Sequence, residues 1–302
     1  MIRFTDVSKA FGAVQAVSEL TLTVENGTVC VLIGPSGCGK STTLRMINRL
    51  IEPDSGTIEV DEVALRDYDP AELRLRTGYV IQSVGLLPHM SVWQNIALVP
   101  RLLKWTRNRR MDRADELLDL VGLDPATYRE KYPRQLSGGE AQRVGVARAL
   151  AADPPYLLMD EPFGAVDPLT RGVLQQAFKE IQARLKKTVV LVTHDLDEAM
   201  FLGDRIAVMK EGRLRQFGTS AELLIQPADD FVADFEGTDR MIRLLNTVPL
   251  KSLTGWNGTG SPTLRDALNE LLQSGSATVY VVHPDGRGEH LDFEGIRRMV
   301  KP

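Results

Sequence analysis

The chain has 302 residues and a net charge of −4 at neutral pH, with 43% hydrophobic and 25% charged residues. This composition is typical of a globular protein that buries a core, and the length fits about two domains. The acidic balance argues against a dedicated nucleic-acid binder, because such proteins are usually basic. The apolar runs are shorter than the ~18 residues of a membrane-spanning helix, and no signal-peptide pattern opens the chain. We therefore expect a cytoplasmic protein that binds no nucleic acid.

The first 65 residues alternate short apolar runs with turn signals and predict a small antiparallel sheet. Residues 20–24 and 29–33 flank Asn26-Gly27, a dipeptide that strongly favours a two-residue hairpin turn. We therefore expect these two runs to pair with each other. A further strand is predicted at 57–63, after the turn residues 54–56.

The stretch GPSGCGKST at 34–42 matches the pattern G-x-x-x-x-G-K-[ST] between a predicted strand and a predicted helix. Its glycines allow backbone N–H groups to surround phosphates, while Lys40 supplies a positive charge and Ser41 offers a hydroxyl to Mg²⁺. The pattern therefore predicts a nucleoside triphosphate site. Its members are Gly34, Pro35, Ser36, Gly37, Cys38, Gly39, Lys40, Ser41 and Thr42.

Helical spacing dominates residues 90–152, where Ser91 and Gln94 form a predicted capping box. Within this region, Ser137 and two glycines open the predicted helix of LSGGEAQRVGVARAL. The backbone N–H groups at such a helix N-terminus form a second seat for an anion. The same residues also fit the pattern S-x-x-E, in which Ser137 and Glu140 only cap their own helix. Both interpretations stand at this point.

The run YLLMDE at 156–161 is an apolar strand that ends in two carboxylates. Asp160 is placed to hold the Mg²⁺ shell, and Glu161 to orient an attacking water and accept its proton. A predicted helix at 168–186 leads to a second apolar strand at 188–193. This alternation predicts a mainly parallel sheet covered on both faces. His194 follows the second strand at the edge where ligands bind, and is a candidate sensor of the γ-phosphate.

The composition changes near residue 254, where TGWNGTGSP at 254–262 is typical of a linker. Beyond it the pattern predicts a helix at 263–272, a strand at 277–283, a turn at 284–288 and a short helix at 293–299. We predict a first domain at 1–237, a linker at 238–262 and a small α+β module at 263–302.

Six motifs follow one another in an order and spacing that resemble the ATP-binding subunits of ABC transporters over about residues 1–237. They are GPSGCGKST, Gln82 at the end of GYVIQ, LSGGE, YLLMDEP, GAVD and His194. The resemblance implies an α/β fold with a P-loop NTPase core and a mainly parallel sheet. It also implies an antiparallel β subdomain, a helical subdomain at about 84–152, ATP hydrolysis, and ATP and Mg²⁺ as cofactors.

The resemblance further implies a role for each matching position. Phe11 resembles the aromatic residue that stacks on adenine, and Gln82 resembles the residue that joins Mg²⁺ to the membrane subunit. Glu161 matches the catalytic base and His194 the switch histidine, and Lys40 completes the catalytic set. The implied Mg²⁺ ligands are Ser41, Gln82 and Asp160.

In this family two subunits face each other head to tail, and the glycine-tipped helix of one closes on the ATP of the other. The resemblance therefore implies a homodimer that shares its ATP. The residues implied to reach the partner's nucleotide are Ser137, Gly138, Gly139, Glu140 and Asp167. The family usually has glutamine at position 140, so Glu140 adds a negative charge near a triphosphate.

Residues 80–105 and 231–245 resemble the branch that serves osmoprotectant importers for glycine betaine, carnitine or choline. This implies a membrane permease and, indirectly, a solute-binding protein as partners, with the chain on the inner face of the cell membrane. Two alternatives are an importer ATPase for another small solute, such as an amino acid or other amine, and a soluble ABC ATPase that moves no solute.

Two further segments have more than one interpretation. The basic run 104–110 is either a contact with anionic lipid or a solvated helix end. Residues 263–300 resemble one CBS repeat, a module that usually occurs in pairs. A single copy would sense ionic strength or a nucleotide, pair with its copy in another subunit, or be a vestige.

Overall fold

We analysed a computed structural model, which describes residues 1–81, 85–164, 166–235, 250, 252–253, 262–267, 270, 278–292 and 295–296. The chain divides into two compact units, Met1–Phe217 and Gly218–Pro302. The strands that form the two sheets of the first unit are β1 (Ile2–Phe11), β2 (Val14–Val24), β3 (Val29–Ile33), β4 (Ser55–Val60), β5 (Val63–Ala64), β6 (Thr77–Val80), β7 (Tyr156–Asp160), β8 (Thr188–Val192), β9 (Arg205–Lys210) and β10 (Arg213–Gly218). Its α-helices are α1 (Lys40–Ile47), α2 (Pro70–Leu75), α3 (Val92–Ile96), α4 (Leu98–Leu102), α5 (Arg107–Leu120), α6 (Pro125–Tyr128), α7 (Gly138–Leu150), α8 (Pro168–Leu185) and α9 (Leu196–Leu202).

A six-stranded sheet with the order β10-β9-β3-β8-β7-β6 forms the centre of the first unit. Strand β3 pairs in parallel with β8 and β9, and β7 pairs in parallel with β6 and β8. Every residue of β3, β7 and β8 is buried, as expected for strands covered on both faces. The predicted mainly parallel sheet is therefore confirmed, and the carboxyl ends of these three strands meet at one edge.

The predicted antiparallel sheet is also present, but the predicted hairpin at Asn26-Gly27 is wrong. The four-stranded sheet has the order β2-β1-β4-β5, so β2 pairs with β1, whereas β3 belongs to the parallel sheet. The turn signal is overridden by burial, because the fully apolar β3 needs cover on both faces. The strand predicted at 57–63 divides into β4 and β5 at Asp61-Glu62, whose φ angles are 51° and 67°.

The two sheets of the first unit enclose a hydrophobic core that includes Phe4, Leu32 and Leu44, each of which is at least 99% buried. Burying such a side chain contributes roughly 2 kcal/mol. Because Leu32 belongs to β3 and Leu44 to α1, this packing fixes the strand and the helix on either side of the predicted phosphate loop. The loop is thus supported from both ends.

The predicted helical region is confirmed, and its start is capped as expected, because Gln94 Oε1 accepts a hydrogen bond from the Ser91 N–H at 3.0 Å. The long apolar run that follows forms two short helices, α3 and α4, rather than one. Pro100 lies in α4 and has no N–H to donate to the carbonyl of Ile96, four residues earlier. The helix therefore breaks at Ala97, where ψ is 5°.

The second unit contains α10 (Ser220–Ile225), α11 (Asp230–Phe235), β11 (Ser252–Leu253), β12 (Val279–Val282) and β13 (Gly288–Leu291). The last three form an antiparallel sheet with β12 in the middle. Strand β12 lies where a strand was predicted, whereas β11 lies inside the stretch assigned to a linker, 238–262. Much of the predicted helices at 263–272 and 293–299 lies outside the described residues, and the domain boundaries stay a prediction. Within the described ranges no helix is both long and apolar enough to cross a membrane.

Candidate functional site

The loop between β3 and α1 requires glycine at two positions. Gly34 and Gly39 have φ angles of 145° and 103°, in a region that other residues rarely adopt. A Cβ atom on Gly34 would lie 2.1 Å from the Met209 carbonyl oxygen, and one on Gly39 would lie 2.2 Å from the Ala16 carbonyl oxygen. The loop thus packs closely against two neighbouring strands while its backbone turns into the helix.

Lys40 lies at the centre of this loop and is only 6% exposed. Its Nζ donates hydrogen bonds to the carbonyl oxygens of Gly34 at 2.7 Å and Pro35 at 2.9 Å. Cys38 Sγ lies 3.7 Å from the same ammonium. The positive charge is therefore held by the loop itself, next to the backbone N–H groups at the start of α1.

A hydroxyl oxygen of Ser41 and a carboxylate oxygen of Asp160 lie together, because the Ser41 Oγ donates a hydrogen bond to Asp160 Oδ1 at 2.9 Å. Asp160 ends β7 and is 8% exposed, and its Oδ2 lies 4.0 Å from the Arg45 guanidinium. Oxygen donors of this kind suit Mg²⁺, so these residues fit the predicted ion. Within the described ranges no group of three His, Cys, Asp or Glu side chains would hold a metal unaided.

Glu161 lies at the turn after β7 with a φ angle of 45°, a left-handed conformation that is uncommon for a side chain of this kind. Its N–H donates to the Val192 carbonyl oxygen at 3.0 Å, which fixes this turn against the end of β8. The His194 Nδ1 lies 3.4 Å from Glu161 Oε2, and the histidine side chain is 60% exposed. The predicted base and the predicted sensor are therefore neighbours at the sheet edge.

A cleft of about 200 Å³ is lined by the phosphate loop and Glu161, whereas Asp160 and His194 do not line it. Its lining consists of Ala16, Ser36, Gly37, Gly39, Lys40, Ser41, Thr42 and Glu161. Ala16 was missed by the sequence analysis, because only the packing of β2 against the loop brings it there. Phe11 does not line this cleft and lies at the end of β1, half exposed, with Lys9 Nζ 5.6 Å from its ring centroid. Gln82 lies outside the described residues.

The second predicted anion seat, at the start of α7, does not line this cleft, and its capping interpretation is confirmed within the chain. The Ser137 N–H donates to Glu140 Oε2 at 2.7 Å, and the Glu140 N–H donates to Ser137 Oγ at 3.3 Å. Glu140 Oε1 also accepts a hydrogen bond from the Tyr128 hydroxyl at 2.5 Å. This bond and the Ser137 N–H hold the pKa of the Glu140 carboxyl below its usual range. Tyr128 was not foreseen from the sequence.

Asp167 also has a local role, because its Oδ1 accepts the Thr170 N–H at 3.1 Å and caps α8. A second contact that the sequence analysis missed is that of Gln142, which is 2% exposed. Its Nε2 donates to the Pro162 carbonyl oxygen and so ties α7 to the turn that carries Glu161. The only signal for it is an uncharged polar side chain on the buried face of α7.

Comparison with known proteins identifies the family. The ABC transporter family model matches residues 17–164. The glycine betaine uptake system ATP-binding protein YehX of Escherichia coli (strain K12) is 51% identical over 298 residues, which cover 95% of this chain and 96% of that protein. The chain belongs to the ATP-binding proteins of ABC transporters.

Two further similarities agree with this assignment. The choline transport ATP-binding protein OpuBA of Bacillus subtilis (strain 168) is 47% identical over 297 residues, covering 94% of this chain and 76% of that protein. The dimeric post-hydrolysis structure of the ATP-binding cassette MJ0796, bound to ADP and Pi, has a TM-score of 0.65 and 35% identity, and covers 72% of this chain and 98% of that one. The predicted P-loop α/β fold and the predicted ATPase class of this ABC protein are therefore confirmed.

Proposed function

We propose that this chain is the ATP-hydrolysing subunit of an importer for an osmoprotectant such as glycine betaine, carnitine or choline. The observation that carries the proposal is the cleft at the edge of the parallel sheet, where Lys40, the Ser41–Asp160 pair and Glu161 converge. The solute class is supported by the relatives, since one that aligns over nearly its whole length is a glycine betaine uptake protein. The competing interpretations are another small solute and a soluble ATPase.

The loop 34–42 binds the phosphates of ATP in this proposal. Its glycines keep the backbone N–H groups accessible, and the Lys40 ammonium exchanges its bonds to two loop carbonyls for bonds to phosphate oxygens. Phe11 stacks on the adenine ring, a role supported by its half-exposed position at the end of β1. These contacts bind the substrate in one orientation along the sheet edge.

Ser41, Asp160 and Gln82 hold Mg²⁺. The bound ion supplies neutralising charge to the phosphate oxygens. Asp160 Oδ1 accepts a hydrogen bond from the Ser41 hydroxyl at 2.9 Å, so this carboxylate fixes the orientation of the hydroxyl group. Asp160 is only 8% exposed, so little water screens the attraction between its carboxylate and the ion.

Glu161 is the general base in this proposal. Its carboxylate orients the attacking water and takes its proton, and the turn after β7 aims the side chain into the cleft. His194 Nδ1 lies 3.4 Å from this carboxylate and steadies it while its own exposed ring faces the γ-phosphate. Lys40 completes the catalytic set by stabilising charge on the phosphate oxygens.

Ser137, Gly138, Gly139 and Glu140 act on the ATP held by a second copy of the chain, with Asp167 at the same interface. The seat is a helix N-terminus, whose N–H groups and dipole favour an anion. The Tyr128 hydroxyl draws the Glu140 carboxylate to the side of the helix, which lessens its repulsion of phosphate. The dimeric arrangement of the cassette MJ0796 supports a dimer here.

The remaining partners follow from the importer assignment. The dimer docks on a membrane permease at the inner face of the cell membrane, and a solute-binding protein delivers the osmoprotectant. The basic run 104–110 contacts anionic lipid through its cationic side chains. The CBS-like tail at 263–302 stays a prediction, with three alternatives: sensing of ionic strength or a nucleotide, pairing with a second copy, or a vestigial module.

The test is uptake of labelled glycine betaine, carnitine and choline in cells that express the chain with its permease. Uptake should require this chain and should be lost in the Lys40→Ala variant, whose affinity for MgATP should fall in calorimetry. Arg66→Ala is the control and should transport normally, because this side chain is 81% exposed and does not line the cleft. Normal ATP hydrolysis without uptake of any of these solutes would favour the alternatives.

A further inference from the structure

A single side chain joins two loops at the edge of the parallel sheet. Arg171 lies in the first turn of α8, and its Nη2 donates to the Val166 carbonyl oxygen at 3.2 Å. Its Nη1 donates to Asp195 Oδ2 at 3.4 Å. Val166 directly precedes Asp167, and Asp195 directly follows His194. One guanidinium therefore connects the neighbour of Asp167 with the neighbour of His194.

Asp195 is itself held rigidly. Its Oδ1 accepts the Glu198 N–H at 3.1 Å and caps α9, and its own N–H donates to Thr193 Oγ1 at 3.0 Å. Thr193 is 2% exposed, and its hydroxyl donates to Glu198 Oε2 at 3.2 Å. The residues on both sides of His194 are thus fixed, while the His194 ring projects toward Glu161. A shift of Asp195 would therefore turn the histidine.

The guanidinium is suited to such a link. Its planar fork bridges two acceptors at once, which the single ammonium of lysine does not reproduce. The Arg171 and Asp195 side chains are 27% and 30% exposed, so the ion pair is partly shielded from water. Among the described residues, the buried Arg171 Nε has no hydrogen-bond partner. Such an unsatisfied donor is costly, and it leaves Arg171 a further bond to form if either loop moves.

We propose that Arg171 is a positioning residue that couples the loop carrying Asp167 to the loop carrying His194. The inference rests on the proposed function, in which Asp167 faces the partner subunit and His194 faces the γ-phosphate. Arg171 does not line the cleft, and it acts through its bond to Asp195. Engagement of the partner at Asp167 thereby sets the orientation of His194 against Glu161.

The first test compares steady-state ATP hydrolysis by the full-length Arg171→Met and Asp195→Asn variants. Asparagine still caps α9, so the second variant removes the ion pair without removing the cap. We expect kcat to fall about tenfold in each, because small displacements of catalytic groups are costly. The KM for ATP should change by less than about twofold, since no substrate contact is lost.

The double variant and two further variants sharpen this test. The double variant, Arg171→Met with Asp195→Asn, should be as active as the less active of the two single variants, because both changes break the same link. Arg171→Lys should recover only part of kcat, and Arg184→Met at the far end of α8 should leave it unchanged. Additive losses in the double variant, or a normal kcat for Arg171→Met, would overturn the inference.

Hydrogen exchange of the free protein tests the link without turnover. Arg171→Met should speed amide exchange in residues 193–198, although the substitution lies on another helix, and Arg184→Met should not. Unchanged exchange in this segment would overturn the link. A wild-type chain that hydrolyses no ATP would instead overturn the proposed function, while the exchange experiment would still decide whether the two loops are coupled.

Discussion

At the residue scale, the cleft depends on side chains whose positions are fixed by backbone contacts. Glu161 adopts a left-handed φ of 45°, and its N–H bond to the Val192 carbonyl holds that conformation. Backbone strain of this kind persists only where neighbouring structure maintains it, and it concentrates at functional sites. The carboxylate is therefore aimed before any substrate binds, which lowers the cost of orienting it during the reaction.

The first prediction concerns the base. Glu161→Gln should bind MgATP normally and hydrolyse it about 10²- to 10⁴-fold more slowly, because the amide orients water but accepts no proton. Calorimetry measures the binding and phosphate release measures the rate. Glu25→Gln, on an exposed turn, is the matched control and should behave as the wild type. Rapid turnover by Glu161→Gln would show that the base is another residue.

The second prediction concerns Glu198, which is 4% exposed and whose Oε1 has no hydrogen-bond partner among the described residues. The pKa of this carboxyl is raised from 4.5 to about 7, mainly by burial and also by the nearby Asp195 and Glu161, against the opposing effects of Thr193 and Arg171. The folded state therefore binds this proton more tightly than the unfolded state. Its stabilising effect is complete below pH 4.5 and is lost as the pH rises toward 7.

Glu198→Gln removes this titration. The variant's free energy of unfolding relative to the wild type should therefore increase between pH 4.5 and 8, by at most about 3 kcal/mol. Urea unfolding at pH 4.5, 6 and 8 measures the difference, with Glu25→Gln as the exposed control. A difference that stays constant with pH would mean that Glu198 ionises as easily in the folded protein as in the unfolded chain.

At the element scale, the start of α7 combines two roles. Within the chain Ser137 and Glu140 cap the helix, and in the proposed dimer the same N-terminus faces the partner's ATP. The two roles make different demands on the side chain, because a cap needs an acceptor oxygen whereas a phosphate seat must avoid negative charge. Substitutions at Ser137 can therefore separate them.

The third prediction uses this difference. Ser137→Ala should lower the free energy of unfolding by about 1 kcal/mol, because the cap is lost. Ser137→Asp should keep that stability, since aspartate also caps, but should abolish ATP hydrolysis by repelling the γ-phosphate. Urea unfolding and phosphate release measure the two effects. Normal hydrolysis by the capped Ser137→Asp variant would leave this helix with a structural role only.

At the scale of the whole molecule, the cleft and the seat on α7 are separate surfaces of one chain. The residues that line the cleft include none from 137–140. A complete site in the proposed mechanism therefore combines the cleft of one copy with the seat of another. In such a head-to-tail arrangement each dimer contains two composite sites.

The fourth prediction is complementation between two inactive variants. Lys40→Ala lacks a working cleft but keeps its seat, and Ser137→Asp has the opposite defect. Mixing them should restore roughly a quarter of the wild-type sites, because half of the dimers are mixed and each of these has one intact site. Phosphate release from the mixture measures the recovery. A mixture as inactive as its two components would contradict the shared site.

The sequence predicted the groups that follow the parallel strands, but it did not predict which strands pair or which distant side chains meet. The phosphate loop, the acidic pair and His194 were predicted as neighbours, because each directly follows a strand of one parallel sheet. The β2–β3 hairpin was wrongly predicted, since Asn26-Gly27 describes only a local turn and burial assigned the two strands to different sheets. Ala16, Tyr128 and Gln142 were missed, because their contacts join elements far apart in the sequence.

The sequence alone determined the chemistry of this protein, because the loop 34–42, the pair after β7 and the histidine after β8 are local patterns with local physical causes. Only the tertiary structure decided which groups hold one another. It placed Glu161 next to His194, bonded Glu140 to the Tyr128 hydroxyl, and bonded Arg171 to both the Val166 carbonyl and Asp195. The reason is that hydrogen bonds and ion pairs depend on distances of a few ångströms, and these are set by how the sheets and helices pack.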